Sequence, residues 1–402
     1  MSAGRGAGGR CRPPDPARRP APRRRAALPA ALAPLALLAL LLAGPVGPAS
    51  SAAAQLPATR DAPAATPFAA LVERLSEPGG YFDTDNLISN EASFLHVVGA
   101  LRRHGVRGGA YIGVGPDQNF SYIARIRPEL AVIVDIRRDN LLQQLLFRAL
   151  FELSHDRAEY LGLLLGRPVP ARRDARQPIE AIVAYMDRTP MGPATFEAAQ
   201  ERVRERLRAY GVPMSAKDLE TIRRFHAAFA EAGLDLRFES FGRGPQSYYP
   251  TLRQLVLARD LDGRLAGYLA SEDDFQFVRA LEAGGRVIPV VGDLAGERAL
   301  PAIAAFLKER RLPVSAYYVS NVEFYLAQEG KVGAFVENVK RLPRAPGGVL
   351  IRSVFRMRLP QTVPGFASTQ LLQPLDSLVR AYDAGRIGGY GDLISIGVLD
   401  PR

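Results

Sequence analysis

Glycine and aspartate residues follow three short apolar runs of the sequence, and residues of these types at such places can form a nucleoside-binding site. The residues are Gly113, Gly115, Asp117, Asp135, Gly292 and Asp293. Glycines let the backbone turn tightly and let a ligand approach it closely, while a following helix offers unpaired N–H groups. Asp135, 20 residues after Gly115, can accept hydrogen bonds from ribose hydroxyls. An ordinary tight turn and a capped strand end would use the same residue types, so this alternative stays open.

A second polar group follows a fourth apolar run, within residues 320–325. Here Glu323 could act as a base, Asn321 could orient a substrate and Tyr325 could shape its pocket. The same stretch could instead begin a helix, with Ser320 or Asn321 as its cap and Glu323 in its first turn. Both interpretations remain open.

Other patterns that carry chemistry are weak or missing. Asp83, Asp85 and Glu91 could act as paired carboxylates in glycoside chemistry, but we favour a turn and a helix start at this place. Four widely spaced histidines and the lack of a His-Glu-x-x-His pattern argue against a transition-metal site, so no metal ligand is predicted. The sequence also lacks the Gly-x-Ser-x-Gly elbow of α/β hydrolases and a phosphate loop.

Short apolar runs alternate with helical patterns along the chain, and these elements must position the polar groups. Strands are predicted at 110–115, 131–135, 286–291, 314–319, 348–355 and 393–398. Helices are predicted at 68–76, 90–103, 117–126, 272–283, 297–310 and 331–341. The alternation is typical of a parallel sheet with both faces covered.

The predicted fold class is therefore α/β, a doubly wound, mostly parallel sheet with helices on both faces and a helical insertion. Residues 140–261, between the second and third strands, show only helical spacing, so we expect them to form the insertion, a cap over one edge of the sheet. The Rossmann-like core would comprise 68–139 and 262–402. Ligands of such sheets bind at the carboxyl ends of the strands, where the polar groups described above would meet.

The N-terminal 54 residues have the three parts of a secretory signal. Residues 1–25 are rich in Arg, Pro and Gly, residues 26–43 are apolar and uncharged, and small residues follow up to Ala54. We predict a signal peptide over 1–54 that is cleaved near Ala54, a flexible linker over 55–67, and export to the periplasm or the medium. An uncleaved membrane anchor is the alternative. Membrane contact is expected only through this signal.

The basic charge of the chain belongs mostly to that leader. The net charge is +11, but the first 54 residues hold eight arginines and one acid, leaving 44 basic and 40 acidic residues in the remainder. Bulk charge therefore gives no reason to expect nucleic-acid binding. Cys11, the only cysteine, lies in the leader, so the mature chain is expected to have neither disulfides nor a thiolate metal site.

These motifs resemble the class I S-adenosylmethionine-dependent methyltransferase fold and, more narrowly, a family of uncharacterised bacterial proteins with that core. The narrower resemblance rests on residues 83–91, 111–122, 134–140 and 320–325. It implies S-adenosylmethionine as cofactor.

In the cofactor site that the resemblance implies, Gly113 and Gly115 would bracket the methionine part, Asp135 would contact the ribose and Asp293 the adenine amino group. The chain departs from the methyltransferase pattern at two places. Tyr111 stands where an acid is usual, and Asp117 stands where a third glycine is usual.

The sequence thus predicts an exported methyltransferase-like protein that binds a small molecule and whose methyl acceptor is unknown. The alternative is a non-catalytic cell-envelope protein that retains the Rossmann-like fold without cofactor chemistry. A nicotinamide dinucleotide enzyme is a weaker possibility, because the third glycine of its fingerprint is missing.

Overall fold

The computed structural model describes residues 67–84, 86–240 and 246–401. The predicted signal peptide lies outside these residues, as does the predicted linker apart from Pro67. The described part contains a six-stranded sheet with the order β3-β2-β1-β4-β5-β6. Its strands are β1 (Ala110–Gly113), β2 (Leu130–Asp135), β3 (Val287–Val291), β4 (Val314–Ser320), β5 (Arg344–Phe355) and β6 (Ser368–Pro374).

The sheet is parallel except at one edge. Strands β1 to β5 pair in parallel, and β6 pairs antiparallel with β5. Strands β1 to β3 are buried along their whole length, which explains why their sequences are continuously apolar rather than alternating. The predicted α/β fold class, a doubly wound and mostly parallel sheet, is confirmed.

Helices cover the sheet in two layers. One layer contains α3 (Gln118–Ile126), α4 (Arg138–Leu153) and α10 (Glu272–Ala283), with α10 in contact with both α3 and α4. The other contains α1 (Pro67–Leu75), α11 (Ala299–Glu309), α13 (Val332–Arg341) and α14 (Leu375–Asp383), each in contact with the next. The short helices α2 (Val98–Arg103), α12 (Val322–Gln328) and α15 (Tyr390–Leu393) lie in the connections.

The stretch predicted as a helical insertion contains most of α4 and all of α5 (Arg157–Leu164), α6 (Ile179–Arg188), α7 (Pro193–Tyr210), α8 (Ala216–Ala232) and α9 (Leu252–Val256). Helix α4 contacts β2 and β3, so it belongs to the layer that covers the sheet. Helices α5, α7 and α8 pack on α4 from outside. In the described part of the chain, no helix is both long and apolar enough to cross a membrane.

The C-terminal part of the fold differs from the sequence prediction. The predicted strand 393–398 is wrong, because helix α15 ends at Leu393 and the backbone N–H groups of Ile394 and Ile396 donate to the carbonyls of Tyr390 and Asp392, which makes a turn there. The Asp392 carboxylate caps this helix by accepting hydrogen bonds from the backbone N–H groups that precede it. The last strand is β6, which the sequence analysis missed. Its sequence lacks a continuous apolar run because it contains several polar residues. Gln370 and Gln373 are nevertheless buried and hydrogen-bonded to other buried side chains.

Candidate functional site

A cavity of about 640 Å³ opens at the carboxyl ends of the parallel strands. Residues that end or directly follow the five parallel strands line it, namely Val114, Gly115, Asp135, Ile136, Gly292, Asp293, Ser320, Asn321, Phe355 and Arg356. The place is the one where doubly wound sheets bind ligands, beside the reversal of strand order between β1 and β4. The volume falls in the usual range for small-molecule sites.

The structure brings most of the predicted site residues to this wall and excludes three. The residues that line the cavity are Gly115, Asp135, Gly292, Asp293, Asn321 and Tyr325. Gly113, Asp117 and Glu323 are not part of the wall. Each of these three residues lies outside the wall for a different structural reason.

Gly113 is required by packing. A Cβ atom at this position would lie 1.9 Å from Asn119 Oδ1 and 2.8 Å from the Tyr111 hydroxyl oxygen. The Tyr111 hydroxyl donates to Asn119 Oδ1 at 2.8 Å, while Asn119 Nδ2 donates to the carbonyls of Val114 and Pro116 at 3.0 and 2.7 Å. Asn119 therefore fixes the turn after β1, and Tyr111 serves this turn rather than a ligand.

Gly115 is the residue of this turn that meets the cavity. Its φ of +86° lies in the left-handed region that favours glycine. Its carbonyl accepts hydrogen bonds from Gln144 Nε2 at 3.0 Å and from Asn119 Nδ2 at 3.3 Å. The backbone beside the cavity is thus held in place from behind.

Asp117 lies behind the turn, next to a separate void of about 10 Å³. The side chain is buried, Tyr268 donates a long hydrogen bond of 3.5 Å to Oδ2, and Oδ1 has no hydrogen-bond partner among the described residues. Burial raises the pKa of Asp117 from 3.8 to about 7, an effect that its hydrogen bonds only partly offset. The negative charge of Asp117 is therefore reduced near neutral pH, and the side chain lies outside the cavity wall.

Asp135 reaches the cavity as half of an ion pair. Its Oδ1 accepts hydrogen bonds from the backbone N–H and Nε of Arg137 at 2.9 and 3.1 Å, and its Oδ2 accepts from an Arg137 Nη at 2.9 Å. Both side chains are buried. Because a carboxylate oxygen can accept two hydrogen bonds, Oδ2 retains the capacity to accept one more.

Asp293 and Gly292 come from the turn between β3 and α11. The backbone N–H of Asp293 donates to Glu77 Oε1 at 2.7 Å, and Asp293 Oδ2 lies 3.7 Å from the ammonium of Lys331. The Asp293 side chain is 27% exposed, so its carboxylate is accessible from the cavity. Gly292 permits close packing, since a Cβ atom would lie 2.3 Å from the Cβ of Ala299 on α11.

Glu323 is buried in an ion pair with Arg352 of β5. Arg352 donates to its two carboxylate oxygens at 2.6 and 3.1 Å, and both side chains are at most 2% exposed. Arg352 also donates to the Leu393 carbonyl and to Gln373 Oε1. The pair therefore joins α12 to β5, β6 and α15, and the Glu323 carboxylate is not placed to accept a proton from a ligand in the cavity.

Ser320 and a buried carboxylate behind it were not predicted as site residues. Glu91 is fully buried and accepts hydrogen bonds from Ser320 Oγ, from the Tyr318 hydroxyl at 2.7 Å and from Gln370 Nε2 at 2.9 Å. The Tyr318 hydroxyl in turn accepts from Gln118 Nε2 at 3.1 Å. These contacts orient the Ser320 hydroxyl at the cavity wall from strands β4 and β6.

Backbone strain marks the same cavity. Among the described residues other than glycine, Asn86, Ser320 and Arg356 have φ values of +50°, +53° and +56°, and all three line the cavity. The remaining two with positive φ, Arg127 and Arg311, lie where helices α3 and α11 end. Such conformations cost about 1–3 kcal/mol each and concentrate at functional sites. Strain without a helix end to explain it thus occurs at this wall.

Aromatic side chains form much of the rest of the wall. They are Tyr81, Phe82, Phe238, Tyr248, Tyr249, Phe324, Tyr325, Phe355 and Tyr390. They come from six separate parts of the sequence, which is why sequence patterns identified only Tyr325. Asp83 also lines the cavity, whereas Asp85 lies outside the described residues. Within the described segments, no group of three or more acidic, histidine or cysteine side chains has the geometry of a metal site.

The raised pKa of Asp117 predicts a pH-dependent cost in stability. Between pH 4 and 7 the folded state keeps a proton that the unfolded chain releases, so the stability of the wild type falls as the pH rises through this window. Asp117→Asn should therefore gain stability relative to the wild type from pH 4 to 7, by at most about 4 kcal/mol, with a plateau above. Urea unfolding at a series of pH values measures this difference, with the exposed Asp273→Asn as control. A difference that stays constant from pH 4 to 8 would contradict the assignment.

The buried ion pair of Glu323 and Arg352 predicts a loss of stability when the carboxylate is removed. Glu323→Gln leaves Arg352 as an unpaired buried cation and should lower the free energy of unfolding by about 3–5 kcal/mol. Glu337→Gln, which removes an exposed pair with Lys340, should cost less than about 1 kcal/mol. Denaturant unfolding of both variants makes the comparison. Equal, small losses would show that the pair does not hold this end of the sheet.

Comparison with known families adds one finding. Residues 87–231 and 238–373 match the model of a family described as Domain of unknown function (DUF7790). The matched segments make up more than half of the chain and contain strands β1 to β5, with all but the last residue of β6. No curated protein matches the chain. The chain therefore belongs to the DUF7790 family.

Proposed function

We propose that the cavity binds S-adenosylmethionine and that the protein is a methyltransferase-like enzyme acting on a small molecule. The observation that carries the proposal is the meeting of Gly115, Asp135 and Asp293 at one wall, each supplied by the end of a different parallel strand. When bound, S-adenosylmethionine supplies an electrophilic methyl group. The residues of the chain would bind and orient it.

The described residues fit an adenosyl group in three respects. Gly115 offers bare backbone, and the nearest atoms to a Cβ built there are amide nitrogens of Asn86 and Gln118 at 3.4 Å. Asp135 Oδ2 can accept one further hydrogen bond, as from a ribose hydroxyl. The accessible carboxylate of Asp293 can accept a hydrogen bond from an exocyclic amine.

Apolar contacts support the same arrangement. Ile136 and Leu294 line the cavity directly after Asp135 and Asp293. A purine packed against these side chains would bury apolar surface while its edge met a carboxylate. Small-molecule sites usually combine such apolar walls with a few placed polar groups.

We also propose that the chain is exported, on the basis of its basic, apolar and small-residue N-terminal segments. Export favours a second candidate function, a cell-envelope protein that has the fold without cofactor chemistry. Two contacts favour it as well, because Arg137 already binds both oxygens of Asp135, and Glu323 is paired with Arg352 away from the wall. Binding of the adenosyl ligands decides between the two candidates.

Calorimetric titration of the purified protein with S-adenosylmethionine and S-adenosylhomocysteine tests the proposal. We expect saturable binding of both, and about tenfold weaker binding by Asp293→Asn, since a hydrogen bond to a charged group contributes about 1.5 kcal/mol or more. The lost contact with Lys331 is partly exposed and should change stability little.

The matched control is Asp273→Asn, which removes a carboxylate that is 86% exposed on α10, outside the cavity wall. This variant should bind like the wild type. The absence of heat with either ligand at millimolar concentration would contradict the methyltransferase proposal and leave the non-catalytic function.

A further inference from the structure

We propose that the half of the cavity next to β4 and β5 binds an aromatic compound that carries one anionic group, a carboxylate in the simplest case. This compound would be the second substrate, so the inference rests on the proposed function. The adenosyl ligand is assigned to the ends of β1, β2 and β3. The remaining wall comes from the ends of β4 and β5, from α12 and α15, and from the segments before α2 and α9.

A continuous row of aromatic rings forms that part of the wall. The ring centroids of Phe82 and Tyr325 lie 4.9 Å apart, those of Tyr325 and Phe324 lie 5.4 Å apart, and those of Phe324 and Tyr390 lie 5.5 Å apart. All three pairs are edge-to-face, the geometry that aromatic rings prefer. Edge-to-face pairs offer both ring faces and ring edges, and a planar aromatic ligand can pack against either.

A second aromatic cluster comes from the segment before α9. The Phe238 and Tyr249 centroids lie 4.9 Å apart, and those of Tyr248 and Tyr249 lie 4.8 Å apart. All three residues line the same cavity as the row from α12. Two aromatic clusters from distant parts of the chain therefore enclose one space, which suits a ligand with a ring system.

The aromatic surface is also unusually open to solvent. Among the described residues, the large apolar side chains that are exposed are Tyr81, Phe324, Met357 and Phe366. Three of these, at 80%, 40% and 43% exposure, line this cavity, and the fourth packs on His96. Exposed apolar surface concentrated at one cleft marks a place where a ligand is bound.

Arg356 provides a positive charge at the cavity wall that can bind the anionic group of the ligand. It follows β5 directly, its backbone N–H donates to the carbonyl of Ala367 at 3.0 Å, and its strained φ of +56° is held by that contact. Its side chain is exposed at the cavity wall, and no ion pair or side-chain hydrogen bond is formed by it within the described part of the protein. A guanidinium in this state can bind a carboxylate through two parallel hydrogen bonds.

The other cations of the wall are already neutralised. Arg137 forms its buried pair with Asp135, while Lys331 lies 2.7 Å from Glu329 and 3.7 Å from Asp293. Arg356 is thus the cation of the described wall that is left for a ligand. One available guanidinium in a cavity that two aromatic clusters line favours a ring system with a single anionic group.

Ligands of equal shape that differ in charge test this inference. 2-Naphthoate and 2-naphthamide share one ring system, and only the first carries a negative charge. In NMR titrations of the full-length protein we expect 2-naphthoate to bind about tenfold tighter than 2-naphthamide, as one charge-assisted interaction allows. Arg356→Gln should abolish this preference, while Arg358→Gln, an exposed arginine outside the cavity wall, should keep it.

A ring-deletion variant tests the aromatic part. Phe324→Ala should weaken the binding of both naphthalene ligands by a similar factor and leave their ratio unchanged. Equal affinity of the two ligands for the wild type, binding of neither, or equal effects of Arg356→Gln and Arg358→Gln would overturn the inference.

A parallel titration with S-adenosylhomocysteine separates this inference from the proposed function. If 2-naphthoate binds through Arg356 and the adenosyl ligand does not bind, the anion site stands and the methyltransferase proposal fails. If the adenosyl ligand binds and 2-naphthoate shows no dependence on Arg356, only the present inference fails. When both hold, the two ligands should bind at the same time.

Discussion

The reversal of strand order between β1 and β4 is the constraint on which the site depends. From β1 the chain winds outwards to β2 and β3, and after β3 it returns to β4 and winds the other way to β5. Because crossovers between parallel strands are right-handed, the two directions place their helices on opposite faces. The turns after β1 and β4 therefore diverge, and a crevice is left at their carboxyl ends.

Two buried polar groups hold the walls of this crevice in place. Asn119 binds three consecutive carbonyls of the turn after β1, and Glu91 binds side chains of β4 and β6. A buried polar group is costly unless its hydrogen bonds are made, so each of these residues favours one arrangement of its neighbours. The strained conformation of Ser320 is tolerated at the point where Glu91 fixes its hydroxyl.

Three residues that the sequence predicts at the ends of parallel strands do line the cavity. Gly115, Asp135 and Asp293 were predicted because parallel strands must place their ends together, and this follows from alternation alone. Ion pairs between distant parts of the chain could not be predicted in the same way. Glu323 and Arg352, for example, are 29 positions apart, and their pairing depends on how α12 packs against β5.

Contacts between residues that are distant in the sequence also explain the other differences between the predicted and the observed structure. The aromatic clusters and Arg356 come from segments that no local pattern connects, so their convergence appears only in the folded chain. Strand β6 was missed because its glutamines read as surface residues, although inside the protein Gln370 donates to Glu91 and Gln373 accepts from Arg352. Apolar residues near 393–398 suggested a strand, but the short helix α15, which Asp392 caps, ends at Leu393 and a turn follows it.

A crystal structure of the protein with S-adenosylhomocysteine would show whether the crevice at the strand ends binds the adenosyl group. We expect electron density for the adenosyl group between the Gly115 turn and the carboxylates of Asp135 and Asp293, with the sulfur directed towards Ser320 and Asn321. Density elsewhere, or an empty crevice in crystals soaked at millimolar concentration, would contradict this expectation.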